Sequence, residues 1–107
     1  MQIKGNYDIT IDVFAVYWDD NKTVFCGLLP KKSYGGLIAY NADDIAIEEP
    51  SISFRTVFYQ NNSMRGVFHW ALIERGLLDN LYEADVTAYN SFLSIIKSEH
   101  LVKEDFY

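Results

Sequence analysis

Between Tyr7 and Trp18 the chain alternates. Tyr7, Ile9, Ile11, Val13, Ala15 and Tyr17 fall on one side of an extended backbone, with Asp8, Thr10 and Asp12 on the other. Period-two alternation of β-branched and aromatic residues predicts a strand over residues 7–18. From Phe14 onward the second side is apolar too (Phe14, Val16, Trp18), as expected of a strand that passes under another layer. Asp19-Asp20-Asn21-Lys22 predicts a polar turn. Residues 23–29 then form the returning strand of a hairpin, ended by Pro30. Lys31 to Gly36 makes a second turn, where Gly35 and Gly36 can supply positive φ. Residues 37–40 and 45–48 are short strands around Asn41-Ala42-Asp43-Asp44, and the pattern leaves open whether they pair with each other. Residues 51–59 are β-rich. Four or five strands joined by short turns imply antiparallel neighbours.

The period then changes. Asn62 or Ser63 can cap a helix, and Met64, Val67, Phe68, Ala71 and Leu72 recur at helical spacing through Arg75, with Trp70 and Ile73 widening the stripe. Gly76 stands where a C′ glycine ends a helix. Residues 77–84 read as a connector with room for one helical turn. A second helix is predicted over Asp85–Glu99, with Val86, Tyr89, Phe92, Leu93 and Ile96 along one stripe. Glu83 and Asp85 near its start and Lys97, His100 and Lys103 near its end complement the helix dipole. Strands first and helices after is an α+β pattern: an antiparallel sheet of four to five strands with two C-terminal helices packed on one face. Residues 1–107 read as a single domain, without repeats or low-complexity tracts.

Composition narrows the class. Half the residues are apolar and 16% are aromatic, which rules out the signature of disorder and leaves aromatics to spare for the surface. Cys26 is the lone cysteine, so no internal disulfide forms. No signal-like leader and no apolar run of about 18 residues is present, so a cytoplasmic location away from membranes is expected. The net charge is −6, from fifteen acids against nine bases. Phosphate contacts need a basic excess, so nucleic acid is disfavoured and a basic partner favoured.

Catalytic chemistry finds little support. His69 and His100 lack metal-ligand spacing, and Cys26 has no companion thiol. Cys26 lies between Phe25 and Gly27 in a predicted strand, a setting for a buried thiol rather than a nucleophile. Gly35-Gly36 opens no phosphate loop. Asp19-Asp20-Asn21 lacks the spacing of a calcium loop. No catalytic residue, metal ligand or cofactor is therefore assigned.

The charge distribution is more informative. Asp43, Asp44, Glu48 and Glu49 lie within residues 41–54, where no base occurs, and follow Tyr40. With Asp19 and Asp20 at the hairpin tip, flanked by Tyr17 and Trp18, they predict an acidic face dotted with aromatics. Such a face steers association with a basic protein, and Tyr and Trp anchor it.

In size, charge and the stretch Tyr40-Asn41-Ala42-Asp43-Asp44-Ile45-Ala46-Ile47-Glu48-Glu49, the chain resembles the immunity proteins of bacterial contact-dependent growth inhibition systems. Those are small acidic cytosolic proteins of varied fold without a shared motif. The resemblance implies a basic toxin domain, often a nuclease, as partner and occlusion of its active site as mechanism. Two other readings stand beside it. One is a small enzyme with a site around His69 and Cys26, and the other is a homo-oligomeric accessory protein.

Overall fold

The computed structural model describes residues 1–5, 8–29, 36–62 and 64–106. Among them run the strands β1 (Gln2–Lys4), β2 (Thr10–Trp18), β3 (Thr23–Leu28), β4 (Leu37–Asn41), β5 (Ala46–Glu49), β6 (Thr56–Asn61) and β7 (Met64–His69). A 3-10 turn covers Ala42–Asp44, and three helices follow: α1 (Trp70–Glu74), α2 (Leu78–Tyr82) and α3 (Val86–Ser98). This is the α+β arrangement the sequence predicts, with a larger sheet. The expected strand start at Tyr7, the turn through Lys31–Gly35 and the possible cap Ser63 lie outside the described residues.

β2 is the axis of the sheet. Along one edge it pairs with β3 from Asp12 to Trp18, and β3 pairs with β4. The other edge is shared. Thr10–Asp12 pair with β1 and Ala15–Trp18 pair with β7, all antiparallel. A bulge between Val13 and Ala15 marks the fork. A bulge sends the side chains beyond it to the opposite face. Ile11 and Val13 accordingly pack in a different cluster from Phe14 and Ala15. The unbroken alternation expected through Tyr17 is thus corrected: Tyr17 points to the helix side and Val16 to the other. The two short strands do not pair with each other, since β4 joins β3 and β5 joins β1.

The predicted helix from Met64 is the main departure. Residues 64–69 form β7, inserted between β2 and β6, and only Trp70–Glu74 is helical. Asn62, at φ 54°, turns the chain between β6 and β7. A strand packed on both faces is apolar on both sides, so Val67-Phe68 followed by Trp70-Ala71 mimics helical spacing. The end of the prediction holds. Gly76 has φ 64°, and Leu77 N–H donates to the Leu72 carbonyl at 3.1 Å. The second predicted helix is α3, capped by Asp85, whose carboxylate accepts from Ala88 N–H at 2.9 Å. It buries Ala88, Tyr89, Phe92 and Ile96, whereas Val86 of the predicted stripe is exposed.

The helices cover one sheet face, packing Leu72, Leu81, Phe92 and Ile96 against Phe14, Cys26, Leu28 and Phe68. On the opposite face Ile3, Ile11, Val13 and Phe25 form a smaller core, closed by Met1, Tyr40, Ala42 and Ile45. Two apolar layers explain why the second half of β2 has no polar side.

Candidate functional site

The 3-10 turn after β4 begins with Asn41, whose side-chain oxygen accepts from Asp43 N–H at 3.0 Å. That cap ties the turn's first backbone donor and leaves Asp43 and Asp44 exposed. At the β2–β3 tip Asp19 does the same for its own turn, accepting from Asn21 N–H at 3.2 Å, while Asp20 projects to solvent. Because β3 lies between β2 and β4, these two turns are neighbours. Trp18, Asp19, Asp20, Lys22, Asn41 and Asp43 line one groove of about 420 Å³.

A larger concavity of about 680 Å³ adjoins it, sharing Asn41 and Asp43. Ile9, Ile11, Tyr40 and Ile45 line it together with Asp43, Asp44 and Lys4. Lys4 stands at the end of β1, and Ala39, Tyr40 and Asn41 of β4 share the lining with it. The surface is therefore mixed: four carboxylates, one aromatic in each hollow, and the ammonium groups of Lys4 and Lys22.

Lys4 is already engaged. Its Nζ lies 3.3 Å from Glu48 Oε2, and Thr10 Oγ1 donates to Glu48 Oε1 at 3.0 Å. Glu49 accepts from Ser51 N–H at 2.9 Å, and that bond holds its carboxyl below the usual range. Of the predicted contact residues, the structure brings together Trp18, Asp19, Asp20, Tyr40, Asp43 and Asp44. It does not bring Tyr17, whose ring stacks on Phe68 at 6.4 Å on the helix face. Glu48 and Glu49 stand on β5, Glu48 bound by Lys4 and Thr10 across the sheet and Glu49 by the nearby Ser51.

The residues of the enzyme alternative are placed as follows. Cys26 is buried with Sγ 2.6 Å from Tyr82 Oη, and burial pushes its thiol up to about 11. A thiol in that state is not a nucleophile at neutral pH. His69 is fully buried, between Phe14, Phe54, Trp70 and Phe92. Its Nδ1 accepts from Ala71 N–H at 3.1 Å and its Nε2 meets Glu99 Oε1 at 2.6 Å. Both ring nitrogens are thus occupied. No residue pattern points to the Glu99 partner, thirty residues away. Among the described residues no three metal-ligating side chains converge, and no helix is long and apolar enough to cross a membrane. Compared with protein-family models, with curated proteins and with solved structures, the chain matches none.

Proposed function

We propose that the chain is a binding protein that docks a basic protein domain on the surface made by the β2–β3 tip and the turn after β4. The observation that supports this reading is the gathering of Asp19, Asp20, Asp43 and Asp44, from loops more than twenty residues apart, around two adjoining hollows. Carboxylates at a concave rim attract lysine and arginine side chains, and the field speeds encounter. Trp18 and Tyr40 supply the apolar contact area that fixes a docked side chain. Applied to a toxin domain that acts on nucleic acid, the same carboxylates occupy positions where substrate phosphates bind, which makes the chain an immunity protein.

The test uses the basic C-terminal domain of a protein encoded immediately upstream. The expected result is a co-purifying complex in which that domain is inactive. Its association rate falls at least about tenfold with added salt or in the Asp20→Lys/Asp43→Lys/Asp44→Lys variant. The variant's melting temperature stays within a few degrees of the parent, because Asp20, Asp43 and Asp44 are exposed. Absence of a complex, or unaltered association of the triple variant, overturns the reading.

A further inference from the structure

β6 ends one side of the sheet: among the described residues it pairs with β7 alone. Its Cα partners run from Thr56↔His69 to Asn61↔Met64 without a shift in register. Trp70 N–H donates to the Arg55 carbonyl at 3.1 Å, which makes Thr56 and His69 a non-hydrogen-bonded pair. By alternation, Val57, Tyr59 and Asn61 turn their N–H and C=O groups towards β7. Thr56, Phe58 and Gln60 turn theirs outward.

Proteins ordinarily guard such an edge with charge, proline or a bulge. β5 carries Glu48 and Glu49 and is followed by Pro50, and β4 runs into Asp43-Asp44. β6 has no such guard. Residues 56–64 (Thr-Val-Phe-Tyr-Gln-Asn-Asn-Ser-Met) contain neither charge nor proline, and Phe58 is 59% exposed.

We propose that β6 pairs with β6 of a second copy of this chain, antiparallel about a two-fold axis at Phe58. Two features of the edge select a second copy. The chain carries a charge of −6, so two copies repel least where they meet along an uncharged sector, and residues 56–61 carry no charge. The strand is also complementary to itself in this register. Phe58 stands across from Phe58, Thr56 from Gln60, and Val57 from Tyr59 on the helix side, an aromatic–β-branched pairing that strengthens a sheet. A two-fold contact of this kind closes on itself and stops at a dimer. It also leaves the acidic surface free. β4 and β6 are the two outer strands of the path β4-β3-β2-β7-β6, so the Asp43-Asp44 turn of each copy lies at the far end of the joined sheet.

Sedimentation velocity over a concentration series tests this, with no partner protein needed. The parent chain is expected to be a dimer in the micromolar range. Phe58→Lys is expected to be a monomer with an unchanged far-ultraviolet circular dichroism spectrum, since the position is exposed. Under mild oxidation Phe58→Cys links into a covalent dimer within minutes, whereas Val86→Cys, at a site 72% exposed on α3, does not. A parent chain that stays monomeric overturns the proposal. So does a dimer that survives Phe58→Lys, or protection of the Phe58 and Gln60 amides from hydrogen exchange only when a different protein is bound.

Discussion

His69 Nε2 lies 2.6 Å from Glu99 Oε1, joining the residue that starts α1 to the residue that ends α3. The ring's other nitrogen accepts from Ala71 N–H, so the proton resides on Nε2 and the imidazole is neutral. Trp70 Nε1 donates to the second Glu99 oxygen at 2.7 Å. One carboxylate therefore satisfies two ring N–H groups where the helices meet, and the sheet contributes Phe14 beneath them.

A first consequence is a pH dependence of stability. Burial holds the His69 imidazole below its ordinary value, against the opposing pull of Glu99. The unfolded chain then binds the proton more readily than the folded one. Stability from this group is complete above the ordinary histidine value of about 6.5 and is lost as the pH falls through the lower folded value. Urea midpoints measured between about pH 7.5 and 5.5 should fall. In His69→Asn, which keeps an acceptor for the α1 cap without a titrating ring, that decline should be largely absent.

Glu99 carries a structural load that its half-exposed position conceals. In Glu99→Ala the His69 and Trp70 N–H groups both lose their acceptor, and an unsatisfied buried donor costs about 1–3 kcal/mol. A loss of about 2–4 kcal/mol in chemical denaturation is expected. Glu99→Gln keeps one acceptor oxygen and should lie between parent and alanine. Equal stability of parent and Glu99→Ala would remove the clamp from the account.

Cys26 should be chemically silent. With the thiol raised to about 11, only about one molecule in a thousand is thiolate at pH 8, and burial blocks access as well. A thiol-reactive dye at pH 8 should label the folded chain at least about a hundredfold more slowly than the urea-unfolded chain. Tyr82 sits in the same cluster, touching Cys26 and also engaging the Tyr17 hydroxyl, so it links α2 to β3 and β2. Rapid labelling of the native protein would place Cys26 at an accessible site.

His100 holds φ 60° just past α3, where His100 N–H bonds to the Lys97 carbonyl and Leu101 N–H to the Ile96 carbonyl, both at 3.0 Å. That is the glycine position of a Schellman ending, and a left-handed L-residue costs about 1 kcal/mol. His100→Gly should raise the unfolding free energy by about 0.5–1 kcal/mol in urea denaturation. A decrease would mean that the imidazole makes contacts worth more than the strain.

How much of this was legible depends on range. α3 could be read because its apolar stripe and the dipole-matched charges at its two ends all lie within one segment, although the capping role of Asp85 came from the structure. The β2–β3 hairpin was legible for the same reason. β7 was not. Its Val67-Phe68 pair, running into Trp70 and Ala71, mimics a helical stripe, and only the pairing with β2 and β6 makes residues 64–69 a strand. The acidic surface was partly legible: composition located the carboxylates, but only the order β2-β3-β4 makes the Asp19-Asp20 tip adjacent to Asp43.

By itself the sequence determined the class of fold, the β2–β3 turn, the extent of the last helix, and the sign of the net charge. These follow from period, turn chemistry and composition, which act over a few residues. The tertiary structure decided which face Tyr17 takes, that Glu48 is bound by Lys4, that His69 is enclosed, and that β6 is left at an edge. Each depends on a bulge, a register or a pairing partner, and those are chosen by contacts between segments far apart in the chain.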